Sequence, residues 1–218
     1  MYKSLFILSA LLLLGITLNA QDASRDILMA FKQKMEKVEK YTVDARIKVE
    51  VDFINIKERK AKVTYTAPDK FDFKAEGFTL LPKKGMEMEY LNMMNEGFTS
   101  ILVKEEKVRG INTSLIKVIP DNSDGDIVLA EMWIDPKTSV MHQMRTFSKD
   151  SGTYTINFFF RDNPYDLPDK IEVTFDVKNK KLPVSITGDF ESLGKETDKG
   201  PTEGKVTIQY ANYLVTGK

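Results

Sequence analysis

Cysteine is absent from the chain, and histidine and tryptophan occur once each. Without cysteine there is no disulfide framework, no thiolate metal site and no thiol nucleophile. Nor is there a cysteine on which a bacterial lipid anchor could be built. Alternation places the single histidine, His142, on a strand beside Met141 and Met144, and no serine sits in a nucleophile-elbow context, so nucleophilic catalysis has little framework. Neither sign of charge predominates: 32 basic residues face 32 acidic ones. That balance argues against nucleic acid as a partner. No metal or cofactor is expected. Asp121 to Asp126 superficially suggests a calcium loop, but an EF-hand needs glycine at its sixth position and glutamate at its twelfth, where this chain has Asp126 and Met132.

Long apolar runs are also scarce, with one exception at the start. Lys3 precedes an apolar run from Leu5 to Leu18, and Asn19-Ala20 ends it on a small residue. Charged start, short apolar centre and small-residue end describe a secretory signal peptide, 1–20, cut near Ala20. The run falls short of the roughly 20 residues that a spanning helix needs. The mature chain, 21–218, is expected to be one exported, soluble domain. A domain of this size buries roughly 70% of the surface its unfolded chain exposes, enough for a core without disulfides.

What is abundant is alternation. Val43, Ala45, Ile47, Val49, Val51 and Phe53 alternate with Asp44, Arg46, Lys48, Glu50 and Asp52. A period of two with charges at every other position describes a strand with one buried and one wet face. After a turn through Ile54 to Lys57 the pattern returns as Ala61, Val63 and Tyr65, and after Ala67-Pro68-Asp69 as Phe71, Phe73 and Ala75. Further strands are read over Thr99–Val103, Lys107–Ile111, Thr113–Ile119, Ile127–Ile134, Val140–Phe147, Thr153–Phe160, Ile171–Val177 and Lys205–Leu214. Asp22 to Lys40 reads as an amphipathic helix whose stripe is Ile27, Leu28, Phe31, Met35 and Val38. Ser185 to Gly204 reads as an exposed loop. One helix and ten or eleven short strands imply an antiparallel sheet, curled or closed, of the mainly β (α+β) class.

One stretch breaks the pattern. Phe78 to Met94 is too apolar for a solvated loop and fits neither a clean strand nor a clean helix. It holds four of the ten methionines, Met86, Met88, Met93 and Met94. A greasy connection must cover something or be covered, and methionine adapts to irregular ligands. Two readings stand side by side: a lid over a pocket for acyl chains, and plain core packing. Asn112-Thr113-Ser114 forms a glycosylation sequon, and Lys57 to Lys62 a basic run whose alternation suits an exposed strand face.

The leader, the helix, the meander and the proline turn before Lys70-Phe71-Asp72-Phe73 together resemble the periplasmic outer-membrane lipoprotein carriers, the LolA/LolB-like family. Leu115 to Pro120, then Ala130-Glu131-Met132-Trp133-Ile134-Asp135-Pro136-Lys137-Thr138, resemble that family's proline-ended strand and its strand–turn. The resemblance implies an unclosed antiparallel half-barrel whose concave apolar face is covered by the helix and the apolar segment. It implies a periplasmic, non-catalytic carrier that shields acyl chains of a lipoprotein or other lipid in transit to the outer membrane, working as a monomer between membrane-bound donor and acceptor proteins. The alternative it leaves open is a sensor or protein-interaction module of the same fold. The cargo contacts it points to are Phe71, Phe73, Phe78, Leu80, Leu81, Met86, Met88, Leu91, Met93, Met94 and Trp133. The chain departs from the family at Ala67, where the carrier has an arginine before the turn proline, and in the Leu80-Leu81-Pro82 stretch, where the carrier has a glycine-rich, tryptophan-containing segment. N-terminal sequencing of protein expressed in a Gram-negative host should give a start near Gln21 in the periplasmic fraction; an intact Met1 in the membrane fraction would refute the leader.

Overall fold

The structure, a computed structural model, describes residues 23–51, 54–55, 58–68, 70–75, 89–122, 125–149, 152–161, 165–177 and 202–216. The expected leader lies outside them. Helix α1 (23–36) is followed by β1 (Lys40–Val51), β2 (Ile54–Asn55), β3 (Arg59–Thr66) and β4 (Lys70–Ala75). Helix α2 (Glu89–Glu96) then leads into β5 (Phe98–Val108), β6 (Ile111–Pro120), β7 (Ile127–Asp135), β8 (Val140–Ser148), β9 (Thr153–Phe159), β10 (Lys170–Val177) and β11 (Thr202–Thr216). The strands form one antiparallel sheet in the order β4-β3-β1-β11-β10-β9-β8-β7-β6-β5, with β2 paired only to β1. The sheet does not close. It is an open half-barrel whose free edges are β4 and β5.

Alternation places the side chains as the sequence predicts. Tyr41, Val43, Ala45 and Ile47 of β1 are buried, while Asp44, Arg46 and Lys48 are exposed. Cross-strand registers carry the inner row sideways, with Val43 opposite Val63 and Val63 opposite Phe73. On the other flank Ile47 faces Ile208, and Ile208 faces Ile171. One core cluster runs along the inner face through every long strand but β5's outer end, and α1 sits on it. Leu28 and Phe31 of α1 are buried, and Ile27, Met35 and Val38 pack half-buried beside them. Ser24 at the helix start shares a 2.8 Å hydrogen bond with Ser100 of β5, and the Lys34 ammonium donates at 2.6 Å to the Thr138 carbonyl beyond β7. At about 1.5 Å per residue α1 is roughly 20 Å long, so these two anchors lay it across several strands.

Five elements differ from expectation. The helix ends at residue 36, where the Lys37 and Val38 N–H groups bond three residues back to the Lys34 (3.3 Å) and Met35 (3.2 Å) carbonyls, and the Glu39 carbonyl beyond it accepts from the Ala67 N–H at 2.8 Å. The Ile54–Lys57 turn contains the short β2, which folds back so that Asn55 pairs with Glu50. The charged run Lys104-Glu105-Glu106-Lys107 is not a break between strands. It continues β5 past a bulge near Leu102, and the hairpin turn falls at Arg109-Gly110, both at positive φ (50° and 85°), the combination that suits the right-handed strand twist. Part of the apolar segment is helical: α2 ends where Gly97 takes φ 106°, a conformation glycine adopts freely. The rest of that segment lies outside the described residues, as does most of Ser185–Gly204, whose last three residues instead begin β11.

Gly204 pairs with Phe175 across β10 and β11. The Phe175 ring is buried directly over it, so a Cβ at residue 204 would overlap ring carbons. Gly204→Ala should therefore cost about 1–3 kcal/mol through overpacking, read as a lowered denaturant midpoint; an unchanged midpoint would show that the ring is free to move aside.

Candidate functional site

The inner face offers two kinds of apolar surface. Its middle is sealed: Tyr65, Ile116, Met132, Ile134 and Ile208 are at most 2% exposed. At the β4 edge the seal is incomplete, and Phe71 and Phe73 are only half-buried, with rings 6.1 Å apart and nearly parallel at 14°. An aromatic row continues inward from them. Phe71 lies 4.9 Å from Tyr65, Tyr65 lies 5.2 Å from Tyr41, and Tyr41 lies 5.6 Å from Tyr213, which is 6.1 Å from Tyr210. Such offset and tilted pairs are favourable beyond the area they bury.

Tyr210 and Tyr213 share this row although they stand three positions apart, an odd spacing that puts side chains on opposite faces of a regular strand. The β1–β11 register shifts between the Thr42 and Asp44 pairs, and Asn212 takes φ 59°. That bulge turns Tyr213 inward. The asparagine was the available signal, because it tolerates the left-handed region better than most residues. The phenol of Tyr213 donates to the Pro168 carbonyl at 2.7 Å, and that of Tyr65 to the Pro68 carbonyl at 3.0 Å. Burial pushes the pKa values of Tyr210 and Tyr213 far above the ordinary phenol value, so both stay neutral hydrogen-bonding groups at any physiological pH.

Of the residues expected to touch cargo, the structure brings Phe71, Phe73, Met93 and Met94 onto the same core. Met93 and Met94 are buried at 7% and 4% exposure, under the α2 end of the connection between the two free edges. Leu91 lies within α2. Phe78, Leu80, Leu81, Met86 and Met88 fall outside the described residues. Trp133 stands apart. It alternates with the inward Met132, so it emerges on the outer face, where it clusters with Val108 and Leu115. Its indole N–H donates to Glu106 at 2.7 Å. Lys104 and this indole hold the Glu106 carboxyl below its ordinary range.

His142 is buried, edge-on to Phe160 at 5.5 Å. Arg109 reaches over from the β5–β6 turn and donates to the carbonyls of His142 (2.7 Å) and Phe158 (2.9 Å) and to the Asn157 side chain (2.8 Å). It fills the gap just past Gln143–Asn157, where the β8–β9 ladder ends. Among the described residues no group of three His, Asp or Glu side chains converges to hold a metal ion. What the inner face can do chemically is bury apolar surface.

The fold has counterparts among solved structures. No known family's sequence profile matches the chain, and no curated protein matches it in sequence. In three dimensions a DUF1329 family protein from Desulfovibrio piger matches at a TM-score of 0.59 and 10% identity, over 90% of this chain and 93% of its own. A candidate outer-membrane lipoprotein-sorting domain from Vibrio parahaemolyticus matches at 0.59 and 7%, over 89% and 93%. A LolA superfamily protein from Nitrosomonas europaea matches at 0.52 and 8%, over 89% and 94%. The fold is that of the LolA-like half-barrels. In this LolA-like half-barrel the Ala67-Pro68 turn sits at the end of β3, beside the Tyr65 and Phe71 rings.

Burial lowers the His142 pKa first, and the Arg109 charge lowers it further. The unfolded chain therefore takes up this proton at a higher pH than the folded one. Stability from this group is complete above about pH 6.5 and declines as pH falls through the ordinary histidine value toward the depressed one. An NMR titration of the His142 ring should give a midpoint below 6.5, moving up in Arg109→Gln; a midpoint at or above 6.5 in the native protein would contradict the burial.

Proposed function

We propose that this chain is a periplasmic, non-catalytic carrier that shields acyl chains of a lipoprotein or other lipid against the inner face of its half-barrel. The observation that carries the reading is the contrast within that face: a sealed centre, and a half-buried aromatic lip of Phe71 and Phe73 at the free β4 edge. The chain between β4 and β5 must pass from one edge of the sheet to the other, and its α2 end supplies Met93 and Met94 to the core. Phe78, Leu80, Leu81, Met86, Met88 and Leu91 of the same connection extend the proposed contact. Cargo binding would be non-directional, gaining about 0.8 kcal/mol per methylene buried before association costs. The folds of the Vibrio and Nitrosomonas proteins support the reading, since the first is a candidate lipoprotein-sorting domain. Among the described residues no helix is long and apolar enough to cross a membrane.

The lip can be tested against the centre. Phe73→Asp changes a half-buried edge residue, whereas Val63→Asp puts a carboxylate directly opposite it at 1% exposure. An unpaired buried carboxylate costs several kcal/mol, so Val63→Asp should fail to fold. Phe73→Asp should keep its melting temperature within a few degrees yet bind a fluorescent acyl probe at least tenfold more weakly. Native probe affinity in a folded Phe73→Asp protein would remove the lip from the site.

A further inference from the structure

The outer face carries a feature that shielding acyl chains does not use. A groove of about 920 Å³ crosses it over β4, β3, β1, β11, β10 and the end of β9. On one side of β11 its lining presents Arg46, Lys60, Lys62 and Lys74; on the other, Lys170 and Arg161. Among the lining residues the acids are Asp44 and Asp169; beyond the lining, Glu172 accepts from Lys170 at 2.9 Å and Asp72 lies 3.9 Å from Lys74, which leaves Arg46, Lys60 and Arg161 to set the excess. Both lining acids are engaged. Asp44 accepts from Asn212 and lies 3.9 Å from Lys62, while Asp169 accepts the Arg161 N–H.

Register shows how deliberately the cations are grouped. Arg46 is directly opposite Lys60, and Lys62 is directly opposite Lys74. Like charges in facing positions of a sheet destabilise it. Edge lysines are a common defence against aggregation, which accounts for Lys74 on β4 but not for Arg46 and Lys60 on interior strands. The row continues from Arg46 to Gln209, Lys170 and Phe159 in successive registers. Lys170 stands 3.8 Å over the Phe159 ring, and Arg109 lies 4.5 Å from the same ring. The floor along β11 is uncharged, made of Gln209, Ala211 and Asn212.

From Lys60 on β3 to Phe159 on β9 the row spans four strand spacings, about 19 Å at roughly 4.8 Å each. A single carboxylate or phosphate reaches one or two of these cations. An extended polypeptide advances about 3.3 Å per residue, so some six residues would run the length. The cations flank an uncharged floor on both sides, so one extended chain lying in the groove can engage both flanks. We propose that this groove binds an extended acidic segment of a partner polypeptide, laid across the strands with carboxylates on the Arg46–Lys60 and Lys62–Lys74 pairs. The site lies on the face opposite the acyl-chain surface and stands whether or not that surface carries lipid.

The test uses the full mature chain and a dye-labelled octapeptide of alternating Glu and Gly, with its Gln isostere as control, read by fluorescence anisotropy. Arg46→Glu/Lys74→Glu reverses one member of each like-charge pair and leaves an opposite-charge pair in its place. Its melting temperature should hold or rise, so lost binding is not lost folding. The charge-matched control is Lys37→Glu/Lys107→Glu, outside the groove. The Glu peptide should saturate on the native protein and on the control within twofold, weaken at least tenfold on the groove variant, and weaken steeply with salt. Equal affinity of native protein for the Glu and Gln peptides, or equal losses in the two variants, would overturn the proposal. So would groove-dependent sedimentation with phosphatidylglycerol vesicles in the absence of peptide binding, which would assign the cations to a membrane instead.

Discussion

Everything in this architecture depends on the pairing of β1 with β11, the first and last long strands. Ten residue pairs run from Lys40–Thr216 to Glu50–Lys205. Without them the chain is two separate meanders, β1-β3-β4 and β5 through β11, each with an open flank. With them β1 and β11 become the middle of a continuous sheet, and the free edges move out to β4 and β5. The chain joining those edges is then obliged to cross from one to the other, which puts α2 where its methionines meet the core. Contacts between chain ends form late and slowly, because loop closure must precede them.

A single period of two gives the sheet two unlike faces. Inward, Val43, Val63, Ile208 and Val173 make one packed surface that needs cover. Outward, Asp44, Arg46, Lys60 and Lys62 face water. The bulge at Asn212 is the exception that joins both stories. It turns Tyr213 in beside Tyr41 to lengthen the aromatic row, and its amide holds the Asp44 carboxylate at 2.9 Å on the outer face. One irregular residue thus extends the inner aromatic row and orients an acid that lines the outer groove.

Much of this was legible from residue order. The half-barrel was expected, and β1, β3, β4 and the Asp135 turn behave as their patterns predict, because each strand has one apolar and one polar face. In that turn the Asp135 carboxylate accepts from the Lys137 N–H and the Thr138 hydroxyl, both at 2.8 Å. The middle of β5 was not legible, since Lys104 to Lys107 have no apolar member. They stay in the strand because their partners on β6 and the Trp133–Glu106 bond hold them there. Trp133 could not be placed on a face until the register was known. Nor could the basic groove be read from Lys57 to Lys62 alone, because Arg46 and Lys74 come from the neighbouring strands and Arg161 and Lys170 from far along the chain, and they meet only through register.

The central claim is that the inner face holds an apolar cargo. Native mass spectrometry of the protein purified from its own host, without detergent, tests it most directly. The account predicts a species heavier than the chain by the mass of an acyl-bearing lipid, reduced to the bare chain by organic extraction. A single species at the bare mass, together with no uptake of lipid when the purified protein is mixed with donor vesicles, would contradict it.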